Sequence, residues 1–94
     1  MLIALDYDET YTRDPKFWNG VVALGEAHGH RFVCITGRTN PPERNIPPMQ
    51  IICAGSDYKR HAGQRAGHMV DVWIDDMPEM IGPSLILTFE EPTK

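Results

Sequence analysis

Five short apolar runs, each followed by polar residues, constrain the fold of this 94-residue chain more than any other feature. The runs are Met1–Leu5, Arg31–Thr36, Gln50–Gly55, Val70–Ile74 and Ser84–Phe89. They lack the alternation of apolar and polar residues that marks a half-exposed strand, so we expect strands that are buried on both faces. Strands of that kind form parallel sheets that helices cover on both sides. The sequence therefore predicts an α/β fold.

Helical signals lie between most of these runs. Asp14 and Pro15 predict a helix start, because Asp caps free N–H groups and Pro at the first helical position loses no hydrogen bond. Gly29 predicts the end of that helix. Residues with helical spacing along it are Phe17, Val21, Leu24 and His28. A second helix is predicted from Asp57 to about Gly67, and a short turn or helix from Met77 to Ile81.

Length and composition exclude several classes of protein. A chain of 94 residues has room for one core, so we predict a single domain over residues 1–94. Thirteen acidic residues against nine Lys and Arg give a net charge of −4, which argues against a basic nucleic-acid-binding surface. No apolar run is long enough for a membrane span, and the first residues lack the basic region of a secretory signal. We expect a cytoplasmic protein that does not bind membranes.

Acidic residues follow the first and the fourth apolar runs directly. The first run ends in Asp6-Tyr7-Asp8, and the fourth ends in Asp75-Asp76. Asp6 and Asp8 point the same way in an extended chain, since side chains alternate with a period of two. If the two strands are neighbours, Asp6, Asp8 and Asp75 surround one small volume. Carboxylates that close repel one another unless a divalent cation lies among them, and all-oxygen ligands favour Mg²⁺.

Lys59 lies in the first turn of the second predicted helix, sixteen residues before Asp75. Its ammonium group is expected to reach back over the strand ends, because a phosphate held among carboxylates needs a fixed cation besides the metal. Arg60, the next residue, is a competing candidate for this position. Thr36-Gly37-Arg38 ends the second strand at the same predicted edge of the sheet.

These residues together resemble the motifs of the haloacid dehalogenase-like (HAD) superfamily of phosphohydrolases. The matching segments, in the order of the family's four motifs, are Leu2–Thr10, Val33–Arg38, Lys59 and Val72–Asp76. The resemblance covers essentially the whole chain. It implies a Rossmann-like three-layer sandwich around a parallel five-stranded sheet of order 5-4-1-2-3.

The resemblance also implies a Mg²⁺-dependent phosphomonoester hydrolase. In that reading Asp6 attacks the phosphorus and forms an aspartyl-phosphate, which water then hydrolyses. Asp8 acts as the general acid and base, and its main-chain carbonyl binds the metal. Asp6 and Asp75 are metal ligands, Asp76 orients the metal site, and Thr10 braces the first loop.

Phosphate binding is implied for Thr36, the Gly37 N–H group and Lys59. Arg38 and Arg44 border the predicted mouth of the site and are the expected substrate contacts. The chain departs from the family in two respects. Only 27 residues separate Asp8 from Thr36, which leaves no room for a cap domain, and Glu9 stands where the family commonly has glycine.

A capless site leaves the substrate open. Phosphorylated small molecules and macromolecular ends are both compatible with it, and water exclusion then falls to the segment Tyr11–Pro15, to the proline-rich loop Pro41–Pro48 or to a second subunit. Two alternatives to the hydrolase stay open: a catalytically weak or silent module that binds phosphate and metal, and a phosphatase of nucleic-acid 3′ ends. A receiver-like phosphoacceptor is disfavoured, because its acceptor Asp ends the third strand and here that strand ends Cys53-Ala54-Gly55.

Overall fold

The computed structural model describes residues 1–42 and 49–83. Within them four parallel strands form one sheet in the order β3-β2-β1-β4. The strands are β1 Leu2–Leu5, β2 Arg31–Thr36, β3 Gln50–Cys53 and β4 Val72–Ile74. This confirms an α/β fold with a parallel sheet, and the strand order agrees with the predicted one as far as it extends. The sheet has four strands rather than five, and the predicted fifth, Ser84–Phe89, lies outside the described residues.

Two helices and two short 3₁₀ turns complete the described structure. Helix α1 spans Pro15–Ala27 and helix α2 spans Lys59–Arg65, while the turns are Tyr11–Arg13 and Pro78–Met80. The Asp14 side chain caps α1 by accepting a hydrogen bond from the Phe17 N–H group, as predicted. No helix of the described ranges is long and apolar enough to cross a membrane.

The two central strands, β1 and β2, are buried on both faces, which explains why they are continuously apolar, whereas β3 and β4 at the edges are partly exposed. The side chains of Ile3 and Leu5 pack with Val22 of α1. Those of Leu2 and Ala4, on the other face, pack with Ile35 of β2. Helix α2 covers this second face: a Cβ added to its Gly63 would lie 3.1 Å from Ile35 Cδ1. The sheet therefore lies between α1 and α2 as the middle of three layers.

The residues of α1 with helical spacing are divided between the packed face and the solvent. Val21 packs on the core, whereas Phe17 and Leu24 are 55% and 64% exposed. The packed face consists of Trp18, Val21, Val22 and Gly25. A Cβ at Gly25 would lie 2.5 Å from the Phe32 ring, so glycine lets α1 pack closely against this side chain.

Candidate functional site

The register of the sheet brings the first and last acidic pairs together. Leu5 of β1 pairs with Ile74 of β4, so the residues that follow them, Asp6 and Asp75, leave the sheet side by side. The pairing continues one residue further, because the Asp6 N–H group donates to the Ile74 carbonyl at 3.0 Å. Neighbouring parallel strands thus place the two carboxylates at one edge of the sheet.

Lys59, the first residue of α2, lies between these carboxylates. Its Nζ donates hydrogen bonds to Asp6 Oδ1 at 2.7 Å and to Asp75 Oδ2 at 2.6 Å. All three side chains are at most 5% exposed. Arg60 points elsewhere: its Nε donates to the Gly82 carbonyl, and its guanidinium lies over the Trp73 ring. Of the two cations considered from the sequence, the structure therefore places Lys59 at the strand ends.

Burial sets the electrostatics of this cluster. Loss of solvent raises the pKa of Asp6 to about 6, against an ordinary value of 3.8, although Lys59 partly opposes the shift. Burial also acts to lower the pKa of Lys59, but its hydrogen bonds to Asp6 and Asp75 outweigh this and the net pKa is raised. Lys59 therefore carries its charge at neutral pH.

Thr10 and Asp76 border the same cluster. Thr10 Oγ1 lies 3.0 Å from Asp6 Oδ2 and 3.3 Å from Asp76 Oδ1, so its hydroxyl bridges the two acidic pairs. The Asp75 carboxylate is held from the other side, because Asp75 Oδ1 accepts a hydrogen bond from the Met77 N–H group at 3.0 Å. These contacts orient the three carboxylates without neutralising them.

The carboxylates of Asp6, Asp75 and Asp76 fit a divalent cation. One oxygen from each lies within 4.8 Å of the others. Three carboxylates carry −3 when ionised and Lys59 supplies +1, which leaves −2 to be balanced. Oxygen-only donors with this excess charge suit Mg²⁺. The trio differs from the one expected from side-chain alternation, since Asp76 takes the place that was expected for the Asp8 carboxylate.

The Asp8 carboxylate is bound to Arg38 instead. Asp8 Oδ2 accepts from Arg38 Nε and Asp8 Oδ1 from Arg38 Nη2, both at 2.9 Å. Asp8 lines the same pocket as Asp6 and Asp75, but its carboxylate is not one of the clustered oxygens. Strand β1 ends at Leu5, and a turn follows. In that turn Glu9 has a φ of 64°, a conformation that favours glycine. The hydrogen bonds from Arg38 hold the pKa of Asp8 below its ordinary value.

At the end of β2, the main chain is more accessible to a ligand in the pocket than the Thr36 side chain is. Thr36 is fully buried, and its Oγ1 accepts a hydrogen bond from the Arg38 N–H group at 3.2 Å. Gly37 is exposed at the edge of the pocket. The Gly37 backbone is therefore open to a ligand in this structure, whereas the Thr36 hydroxyl is engaged inside the protein. Phosphate binding by Thr36 stays a prediction.

An open pocket of about 210 Å³ lies above the cluster. The residues that line it are Asp6, Asp8, Glu9, Gly37, Lys59, Asp75, Asp76, Met77 and Met80. The two methionines were not predicted as site residues. Their signal in the sequence was the predicted turn at Met77–Ile81, which begins two residues after Asp75 and so had to lie at the same sheet edge.

Arg44, the other expected substrate contact, lies outside the described residues, as does most of the proline-rich loop. The segment after β1 packs inward, since Tyr11 belongs to the buried core beside α1. Tyr11 and the rest of its 3₁₀ turn are absent from the described lining of the pocket.

Comparison of the chain with protein-family models, with curated proteins and with solved structures finds no match.

Proposed function

We propose that this protein is a HAD-like, Mg²⁺-dependent phosphomonoester hydrolase that acts through an aspartyl-phosphate on Asp6. The observation that carries the proposal is the buried Lys59 ammonium held between Asp6 and Asp75, with Asp76 beside them. A carboxylate attacks a phosphate dianion only when cations offset their repulsion. The cluster supplies one fixed cation and the ligands for a second. The motif resemblance supports the same conclusion.

The chemistry follows from the positions of the chain's own groups. An Asp6 oxygen attacks phosphorus while the bond from phosphorus to the leaving oxygen breaks, and Asp8, which must first take up a proton from solvent, gives that proton to the leaving oxygen. Asp8 then takes a proton from water, whose oxygen attacks the phosphorus and releases Asp6 and inorganic phosphate. Lys59 neutralises charge on Asp6 throughout, and the Gly37 N–H group binds a phosphoryl oxygen.

Asp6, Asp75 and Asp76 would hold the Mg²⁺ ion, together with the Asp8 main-chain carbonyl that the resemblance implies. The ion would supply positive charge next to the phosphate oxygens and so lower the barrier to nucleophilic attack. The fit of these residues to the ion rests on the clustered carboxylate oxygens and on their uncompensated charge.

Hydrolysis of p-nitrophenyl phosphate, with Mg²⁺ and with a chelator, tests the proposal. We expect activity that the chelator abolishes and that Asp6→Asn removes by at least about a thousandfold, as loss of a nucleophile does. Asp57→Asn is the matched control, because Asp57 pairs with Arg65 away from the pocket. Activity that persists in Asp6→Asn contradicts the assignment of the nucleophile.

Asp8→Asn separates the roles of the two first-loop carboxylates. It should slow formation and hydrolysis of the aspartyl-phosphate while Mg²⁺ binding persists, since the proposed metal contact of Asp8 is its main-chain carbonyl. Single-turnover kinetics and isothermal titration with Mg²⁺ measure the two effects. Loss of Mg²⁺ binding in this variant contradicts the main-chain assignment.

A silent module that binds phosphate and metal is the second candidate, and one observation favours it. Both oxygens of Asp8, the proposed acid and base, are engaged by Arg38. Binding of Mg²⁺ and phosphate without turnover of any ester in a broad panel would support the module over the enzyme.

The nucleic-acid 3′-end phosphatase gains no support from the described residues. That activity would need a local basic patch from Arg38, Arg44, Lys59 and Arg60. Lys59 is buried between carboxylates, Arg38 pairs with Asp8, and Arg60 packs on Trp73. We therefore propose a small phosphorylated substrate. The cytoplasmic location and a second subunit stay predictions from the sequence.

A further inference from the structure

Arg38 pairs with an exposed carboxylate of the pocket lining. Among the described residues that line the pocket, Lys59 is the cation, and two buried carboxylates already engage it. The Arg38 and Asp8 side chains are 45% and 48% exposed, and Asp8 lines the pocket. A phosphate in the pocket is therefore next to Asp8, whose partner Arg38 is in contact with solvent.

The guanidinium of Arg38 is held in place, but only some of its hydrogen-bond donors are engaged. Its Nε and Nη2 bind Asp8, and its Cζ lies 5.2 Å from the centre of the Tyr7 ring. Nη1 has no hydrogen-bond partner among residues 1–42 and 49–83. A planar fork of this kind binds phosphate as well as carboxylate.

The pair with Arg38 conflicts with the role proposed for Asp8. Proton transfer requires an Asp8 oxygen directed at the leaving group, and in this structure Arg38 donates one hydrogen bond to each Asp8 oxygen and so fixes the carboxylate toward itself. A phosphate dianion in the pocket would also repel Asp8 and attract Arg38. Binding of the substrate phosphate and release of Asp8 from Arg38 are therefore expected to occur together.

We propose that Arg38 exchanges partners on phosphate binding: it leaves the Asp8 carboxylate for the phosphate and thereby frees Asp8 for proton transfer. Arg38 is therefore a positioning residue for Asp8 before phosphate binds, and a substrate contact afterwards. The exchange is feasible because ion pairs between half-exposed side chains are weak, whereas the buried contacts of Lys59 stay intact.

The exchange rests on the proposed function, since it requires phosphate in this pocket. The test is titration of inorganic phosphate in the presence of Mg²⁺ into the wild type, Asp8→Asn, Arg38→Gln and the double variant. Asp8→Asn removes the competitor for Arg38, so we expect phosphate to bind about fivefold more tightly than to the wild type. Arg38→Gln should weaken phosphate binding, and in that background Asp8→Asn should bring only the gain that follows from removing one negative charge.

Glu9→Gln is the matched control for charge. Glu9 also lines the pocket and carries the same charge as Asp8, but its partner is Arg13 at 3.2 Å. Its neutralisation should raise phosphate affinity equally in the wild type and in the Arg38→Gln background, because it acts only through the local potential. Circular dichroism of each variant verifies that the fold is retained.

The outcomes separate the exchange from the proposed function. Equal gains from Asp8→Asn with and without Arg38 overturn the exchange and leave the phosphate site standing. Weaker phosphate binding in Asp8→Asn also overturns it, since Asp8 would then hold Arg38 in place for phosphate. Absence of phosphate binding in the wild type and in every variant overturns the proposed function itself.

The kinetic constants of hydrolysis provide a second test, because a purely structural Arg38–Asp8 pair would not affect KM and kcat separately. Arg38→Gln should raise KM for p-nitrophenyl phosphate several-fold and leave kcat within about twofold, because it removes a contact made on substrate binding while Asp8 starts free. Arg38→Lys keeps the positive charge, so its KM should lie between those of the wild type and Arg38→Gln. A fall in kcat with unchanged KM contradicts the exchange.

Discussion

Two groups of paired charges share one pocket, and they differ mainly in their contact with water. Lys59 joins Asp6 and Asp75 in an environment where each side chain is at most 5% exposed, whereas Arg38 and Asp8 are each nearly half exposed. Removal of one member of a buried pair leaves an uncompensated charge in a medium of low polarity. Removal of one member of an exposed pair leaves a charge that water solvates. We infer that the buried cluster fixes the geometry of the site and that the exposed pair is free to rearrange.

Lys59→Met should have the largest effect on stability. The free energy of unfolding should fall by about 3–5 kcal/mol, because two buried carboxylates lose their cation. Urea denaturation measures it, and Lys16→Met, at an exposed position of α1, is the control. A loss below about 1 kcal/mol would mean that the cluster is solvated and would remove the contrast between the two groups.

Mg²⁺ should stabilise the protein strongly at pH 7.5 and weakly at pH 5. The pKa of Asp6 is about 6 in the metal-free protein, so this ligand is ionised at the higher pH and protonated at the lower one. The difference in Tm with and without Mg²⁺, at matched ionic strength, measures this stabilisation at each pH. An Mg²⁺ effect that is equal at both pH values would contradict the participation of Asp6.

In the absence of metal the pH dependence from Asp6 has the opposite sign. Between the ordinary value of 3.8 and about 6, the native state binds this proton more readily than the unfolded state. The contribution of Asp6 to stability is therefore present at low pH and is lost as the pH rises through about 6. Asp6→Asn, which does not titrate, should flatten this part of the profile.

Thr10→Val should have an intermediate effect. Its hydroxyl lies between Asp6 and Asp76, and its loss leaves the buried Asp6 Oδ2 without this donor, at a cost of about 1–2 kcal/mol. Thr10→Ser keeps the hydroxyl and should recover most of that stability. Equal unfolding midpoints for the valine and serine variants would show that the bridge contributes nothing.

Arg38→Gln should have the smallest effect on stability. Its partner Asp8 is solvated, so the urea midpoint should change much less than in Lys59→Met. The same variant should nevertheless weaken phosphate binding. A large loss of stability would make Arg38 a structural residue and would contradict its partner exchange.

Much of this arrangement was predictable from short-range features of the chain. Continuous apolar runs predicted strands buried on both faces, and Asp14-Pro15 predicted the start of α1. Asp6 and Asp75 follow their strands directly, so pairing of β1 with β4 was sufficient to bring them together. These features depend on residue type and spacing, which a sequence shows directly.

The sequence did not show the partners of individual side chains. Asp8 was expected to join Asp6 and Asp75 around one cation, but its carboxylate pairs with Arg38, 30 residues further along the chain. Of the α1 residues with helical spacing, Val21 packs on the core and Phe17 and Leu24 are exposed. Both outcomes depend on how separate elements pack together, which local patterning does not determine.

The sequence by itself determined which chemical groups stand at the carboxyl ends of the strands, because strand ends follow from local apolar patterning. Only the tertiary structure decided which of those groups are buried and which meet water. Burial depends on how the helices pack over the sheet edge, as when α2 inserts Lys59 between two carboxylates and leaves Arg38 outside. The positive charge of Lys59 is therefore buried between two carboxylates, whereas that of Arg38 is in contact with water.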